Sequence, residues 1–331
     1  MRKISRSIIN GRVGAGTGGQ GLKIDWATTN DGSLHWLGVT ESSLEAFVFQ
    51  GSNYGYSLGG DGNVDVIEKF TFASAGNSAA VANLTVDSTD KKNLEGTLSK
   101  DHGYTAGGNN SNVIDRFPFA SDTNASDVGD LLTSHGNGSS ASDADYGYMA
   151  GGGSSNVIER WANASSGNSA DVGDITVTRN DMSSHSSATH GFCCGGDNGP
   201  KYDVIDKYAF ASSGNSADWG NLTNSGISGG TGASDEDYGY VAGGNTPTNY
   251  VNIIERFPFA SSSGASDVGD LTKNITWASG QSSTTKGYKC GGHPNGSTIN
   301  EIESYTFASS GNASDWGDLT STAKYNTGVQ Y

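Results

Sequence analysis

The chain has 331 residues, with 50 Gly, 5 Pro, 3 Cys and 16% charged side chains. Three Cys exclude a disulfide scaffold, and glycine without a three-residue period excludes collagen. A net charge of −16 argues against a nucleic-acid groove or an anionic membrane surface, where basic charge supplies most of the affinity.

The basic start Met1–Arg6 is followed only by Ile8-Ile9 before Asn10-Gly11. A secretory signal needs about 7–15 apolar residues and a membrane helix about 20. The expectation is synthesis in a cytoplasm with no signal peptide, and no membrane partner. Gly14–Gly19 has no strong strand before it and no helix after it, so it is not a dinucleotide fingerprint. Gly16–Lys23 lacks the Gly-Lys-Ser/Thr of a P-loop.

Beyond this start the chain repeats. Gly-Gly doublets fall at Gly59-Gly60, Gly107-Gly108, Gly151-Gly152, Gly195-Gly196, Gly243-Gly244 and Gly291-Gly292, in steps of about 44 to 48 residues. Each closes a phrase such as Tyr146-Gly-Tyr-Met-Ala-Gly-Gly, which reads as a short strand that another sheet can approach closely. After a loop comes a β-rich phrase such as Val157-Ile-Glu-Arg-Trp161. A Ser-Gly-Asn hairpin turn follows, then a closing phrase such as Asp171-Val-Gly-Asp-Ile175. A Ser/Thr/Gly-rich segment before each Tyr-Gly-Tyr, such as Arg179–His190, reads as a further strand. Four strands per unit with no helical period predict the blades of a β-propeller.

At these residues the chain resembles the kelch repeat. Blade four follows that pattern most fully: Arg179, Gly195-Gly196, Val204-Ile-Asp-Lys-Tyr208, Trp219 and Leu222. The likeness runs from about Trp36 to Leu319. It departs where Val128, Val172, Val268 and Val81 stand at the Trp position. The wording Ala-Ser-Ser-Gly-Asn…Asp-Val-Gly-Asp is also similar to kelch-type repeat proteins of tailed bacteriophages, marine ones especially. That resemblance implies a virion component made in the host cytoplasm: a tail-fibre, tail-associated or capsid-decorating protein.

The favoured architecture is one all-β propeller domain over residues 1–331 with seven kelch-like blades. The N-terminal strands would share a blade with the ring-closing segment Thr320–Tyr331. That segment aligns with Thr176–Ser187, and 331 residues over seven blades come to about 47 each. Six blades with residues 1–16 as an N-terminal arm is the alternative. Closure of the ring removes open sheet edges.

The loops between the doublet and the next phrase are about three or four residues longer in blades four to six than in blades two and three. They carry Asp197, Lys201 and Tyr202; Asn245, Thr248 and Tyr250; and His293 and Asn295. Aromatic and amide side chains on one rim suit a carbohydrate or a protein partner. The competing reading is that these loops are merely tolerated length.

The acids Glu68, Asp115, Glu159, Asp206, Glu255 and Glu303 sit at one position of every blade, beside Lys69, Arg116, Arg160, Lys207, Arg256 and Ser304. A feature present in every blade reads as inter-blade pairing, with a charged channel as the sharper alternative. Asp-x-Gly-Asp reads as turn capping, since two carboxylates fall short of the six to eight oxygens that calcium takes. The stretch Ser169-Ala-Asp171-Val-Gly173 is only faintly similar to a sialidase Asp-box. Cys194 and Cys290 stand where sibling blades have Ala106, Ala150 and Ala242, so the thiols, Cys193 included, read as small buried hydrophobes rather than a metal or redox pair.

His35, His102, His135, His185, His190 and His293 show no triad spacing. No metal or cofactor is expected, and no catalytic residue. The expected function is a non-enzymatic structural or host-attachment role. Its partners would be a host surface glycan or receptor, or other virion proteins, with no nucleic acid, and with self-association inside a particle as a further expectation. The alternative is a propeller glycosidase or polysaccharide lyase acting on host surface carbohydrate, its acids drawn from unlike blades at one channel mouth.

Overall fold

The computed structural model describes residues 22–28, 34–41, 48–61, 65–85, 91–109 and 111–331, the first two segments as backbone only. The chain divides into Met1–Phe47 and Val48–Tyr331. In the first unit, Leu22–Thr28 and Leu34–Glu41 form an antiparallel hairpin. The expected arm at residues 1–16 lies outside the described residues.

The second unit is a six-bladed propeller. Each blade is a four-stranded antiparallel sheet. Blade four shows the plan: Ser183–Ser186, His190–Cys194, Val204–Ala209 and Ala217–Asn221, from hub to rim. The first strands of the six blades neighbour one another around the axis.

The blade count is six, the alternative, and not the favoured seven. Thr327–Gln330 pairs with Tyr54–Leu58, so the C-terminal strand becomes the first strand of the blade that carries Gly59-Gly60. It completes no separate blade with N-terminal strands, and residues 48–331 alone supply about 47 per blade. The ring closes at the rim as well: the Gly76 amide donates to the Trp316 carbonyl at 2.7 Å, and the Ser78 amide to the Asp318 carbonyl at 2.8 Å.

The repeat words are the joints between blades. Both glycines of each doublet have positive φ, and the amide of the second donates to a carbonyl in the connection entering the next blade: Gly60 to Lys91, Gly108 to His135, Gly152 to Arg179, Gly196 to Ile227, Gly244 to Ile275 and Gly292 to Ala323. A Cβ on Gly59 or Gly107 would collide with that same carbonyl. In the closing phrase, Asp171 Oδ1 accepts the Gly173 amide at 3.0 Å, and the Asp174 amide donates to Asn215 Oδ1 of the next blade at 3.1 Å. This is the expected turn capping.

Aromatic side chains fill the gaps between sheets. Tyr148 stacks on Phe210 at 4.8 Å, Phe192 on Phe259 at 4.7 Å, and Tyr240 on Phe307 at 4.6 Å. The Ser-rich first strands have a reason too. Their backbone amides at Leu98, Ser140, Ser142 and Ser234 donate to serine hydroxyls of the next blade, at 2.8–3.0 Å. A small hydroxyl satisfies the neighbour's peptide where no further strand can pair.

Candidate binding face at the hub mouth

One end of the disc carries the doublet loops and the connections between blades. At its centre, two residues ahead of each first strand or nearly so, stand Asn93, Asn137, Asp181, Gly229, Trp277 and Tyr325. All six have left-handed backbone, with φ between 53° and 64°. Their peptides form a closed circle. The amide of Asn93 donates to the carbonyl of Tyr325, Asn137 to Asn93, Asp181 to Asn137, Gly229 to Asp181, Trp277 to Gly229 and Tyr325 to Trp277, at 2.7–3.1 Å. Asn, Asp and Gly adopt this conformation at little penalty, whereas a bulky aromatic there is strained.

Trp277 and Tyr325 make an aromatic platform with two loop residues. Their rings lie 4.8 Å apart; Trp277 lies 6.0 Å from His293, nearly parallel, and 6.1 Å from Tyr250. All four are half-buried. The structure therefore joins Tyr250 and His293, singled out from loop length, with two residues that loop length did not find. The signal for these was positional: Trp277 and Tyr325 occupy a slot that Asn, Asp or Gly fills in the other blades.

The remaining loop residues divide. Lys201 Nζ donates to Ser228 Oγ at 3.0 Å and, with the Asn245 amide oriented to satisfy both its neighbours, to Asn245 Oδ1 at 2.9 Å. Asp197 bridges by backbone to Asn180 and Lys201. Tyr202 contributes backbone bonds, its amide to Gly196 and its carbonyl from Ile227, and joins no ring cluster among the described residues. Thr248 and Asn295 are exposed beside the patch.

Acidic groups adjoin the platform. Burial and the neighbouring Asp197 push the Asp181 carboxyl up to about 6, against the pull of Lys201. Asp61 lies 3.6 Å from both Lys92 and Lys324. Within the axis is a cavity of about 120 Å³, lined by residues of the first strands. Glu95 projects from a position held by Ser139, Ser183, Thr231, Ser279 and Thr327 in the other blades. Burial, and then Asp181, push its carboxyl up to about 8, while hydrogen bonds from Ser140 and Ser184 pull the other way. Next to that tier the axis is pinched by Gly96, Gly232, Gly280 and Gly328. A Cβ on Gly232, Gly280 or Gly328 would strike a carbonyl oxygen of a neighbouring first strand.

The acid of each second phrase is structural. Asp206 accepts the Thr176 hydroxyl at 3.0 Å, Glu255 the Thr223 amide at 2.9 Å, and Glu303 the Thr272 amide at 2.9 Å, all from the connection arriving from the preceding blade. The basic side chains that meet the acids are not the adjacent ones. Asp115 pairs with Lys91 at 3.4 Å, Glu159 with His135 at 2.9 Å, Asp206 with Arg179 at 2.9 Å and Glu303 with Lys289 at 3.2 Å. Arg160, Arg256 and Lys207 instead lie over the rings of Tyr146, Tyr238 and Trp219. All three thiols are free and buried, and burial pushes the Cys193 thiol up to about 12.

Among the described residues no group of three or more His, Cys, Asp or Glu is placed to hold a metal ion, and no helix is long and apolar enough to cross a membrane. Comparison with family models and with curated proteins returned no match. The architecture is a six-bladed antiparallel β-propeller closed by its C-terminal strand.

Proposed function

We propose that the chain is a non-enzymatic attachment component of a tailed-phage particle, binding a host surface glycan or another virion protein through the hub mouth. The observation that carries the binding part is the platform. Trp277 and Tyr325 hold φ of 58° and 57°, a conformation costing an L-residue about 1–2 kcal/mol. Strain of this kind gathers at binding sites, and flat rings with polar edges suit sugar faces. The particle part rests on the repeat wording and on the resemblance it carries. The test has two arms. Purified particles should contain the chain at a fixed copy number, and Trp277→Gly with Tyr250→Ala should abolish attachment while the propeller stays folded. Particles without the chain, or normal attachment by the folded double variant, would each remove one half of the reading.

A second reading, glycoside cleavage, is favoured by one observation: Asp61, Glu95 and Asp181 come from unlike blades to the hub and its mouth, and two of them are pushed towards the protonated form. General acid catalysis of glycosidic bonds uses such a raised carboxyl. Release of reducing sugar from host polysaccharide, lost in Asp181→Asn, is the result that would establish it.

A further inference from the structure

We propose that the mouth holds a second subsite, an amide-lined pocket between blades two and three that takes one uncharged sugar residue next to the unit stacked on the platform. This rests on the reading of the face as glycan-binding and adds the class of ligand: a neutral oligosaccharide spanning two dissimilar subsites.

The pocket has a volume of about 280 Å³ and is lined by Asn93, Asn109, Ser134, His135, Asn137 and Asn180 with glycine backbone between them. At ~30 Å³ per water it holds about nine waters, room for one pyranose ring. Its walls carry amides, hydroxyls and an imidazole, with no carboxylate and no Lys or Arg. A charged ligand would find no counter-charge there, whereas a ring of hydroxyls would find both donors and acceptors.

Two of the lining residues each bury one polar atom without a partner among the described residues. His135 is 5% exposed. Its Nε2–H donates to Glu159 at 2.9 Å, and three bonds, from His135, Ser169 and the Leu132 amide, hold the Glu159 carboxyl below its ordinary range despite burial. That pairing fixes the ring and leaves Nδ1, which is buried with no partner among the described residues. Asn93 Oδ1 is in the same condition. Buried polar atoms are nearly always hydrogen-bonded. Both atoms are closed off from solvent, so the groups that would meet a sugar's hydroxyls are the rest of the lining: the amides of Asn109, Asn137 and Asn180 and the hydroxyls of Ser134 and Ser154.

The two subsites adjoin. Asn93 lines the pocket and is also the ring neighbour of Tyr325, its amide bonded to the Tyr325 carbonyl at 2.9 Å. A glycan leaving the platform at Tyr325 meets the pocket next. Charged groups stand beside the platform, with Lys324 over the Tyr325 ring at 5.4 Å and Asp61 and Asp181 adjoining, and none of them lines the pocket.

The experiment titrates methyl glycosides of glucose, galactose, mannose and N-acetylglucosamine into the intact chain, followed by amide NMR. Gly108, Gly136 and Gly153 report the pocket, and the Trp277 indole reports the platform. At least one glycoside should shift the three glycine amides. Ser134→Trp, at an exposed wall position, should abolish that shift. Asn93→Gly keeps the left-handed backbone and removes one side-chain amide from the lining, so it should weaken pocket binding by roughly three- to tenfold. Trp277→Gly should leave pocket binding of a monosaccharide in place and weaken a disaccharide of the same sugar. Shifts confined to the Trp277 indole, unaffected by Ser134→Trp, would overturn the pocket and spare the platform. No shift at either set up to tens of millimolar would overturn both.

Discussion

The connections entering blades two, three and four differ from those entering blades five, six and one. The first three place Lys91, His135 and Arg179 under the doublet, each meeting a buried acid, and put Asn93, Asn137 and Asp181 on the ring. The other three place Ile227, Ile275 and Ala323 under the doublet, all buried, and put Gly229, Trp277 and Tyr325 on the ring. The backbone bonds are the same in both halves: all six carbonyls accept the second doublet glycine, and all six ring amides close the circle. Blade geometry is therefore set by peptide groups and glycines, and the side chains above it are free to differ. One half becomes a polar cradle, the other an aromatic shelf.

The largest test of the shared backbone removes its closure. Deleting residues 320–331 strips blade one of its first strand and leaves Tyr54–Leu58 as an open edge at the hub. The deletion product should aggregate or lose its cooperative melt, and a monomeric product with the parental melting curve would show that closure is dispensable. Next in size, Arg179→Ile gives the polar half an apolar-half residue. Asp206 keeps Thr176 but loses its cation in a fully buried setting, which costs about 3–5 kcal/mol. Urea melts should show that loss, with partial recovery in Arg179→Ile/Asp206→Asn. A loss under about 1 kcal/mol would mean that the halves are interchangeable.

A pH series sharpens the comparison. Glu95 has an ordinary value of 4.5 and is pushed up to about 8 in the fold. Between those values the folded protein holds more protons than the unfolded chain. Stability is thus full below about pH 4.5 and declines as pH rises towards 8, by at most ~1.4 kcal/mol per pH unit. Melting temperatures at pH 5, 6.5 and 8 should fall in the parent and stay flatter in Glu95→Gln; parallel curves would deny Glu95 this role. On the aromatic side, Trp277→Gly relieves a left-handed aromatic but forfeits ring contacts, so stability should move by no more than about 1 kcal/mol. Calorimetry showing a loss above about 3 kcal/mol would make Trp277 a packing residue and not a binding one. Smallest of all, Cys194→Ala should cost under about 1.5 kcal/mol, because Ala106, Ala150 and Ala242 already fill that slot. Cys290→Ala should cost little more, for the loss of its Sγ contact with Gln281 Oε1 at 3.0 Å. Thermal melts of the two variants decide this.

Much of the scaffold could be read from repeated words. The doublets, Asp-x-Gly-Asp, the second-phrase acids and the alignment of Thr320–Tyr331 with Thr176–Ser187 each named a joint that the structure contains, because the doublet glycines and the acids recur in all six blades and Asp-x-Gly-Asp or Asp-x-Gly-Asn in all but the first. The blade count failed for a related reason: dividing all 331 residues by the period drew Met1–Phe47 into the ring. The hub ring is not legible in the sequence because its six members share a backbone angle but not one residue type. Asn93 and Trp277 look unrelated in a sequence until φ is known. Glu95 was equally hidden, a single departure among Ser and Thr in strands too polar to draw attention. Loop length singled out Tyr250 and His293, which the structure brings together with Trp277, and Tyr202, which contributes backbone hydrogen bonds.

The circle of ring amides carries one more consequence. A helix or a strand pair has ends where peptide groups go unmatched, and thermal opening starts from those ends. The six peptides from Asn93 to Tyr325 have no first or last member, so every one has a donor behind it and an acceptor ahead. Opening cannot creep inward from an edge; it must break a link in mid-circle and lift a whole connection with it. The mouth is thus a hoop whose rigidity does not depend on which side chain each blade happens to place there.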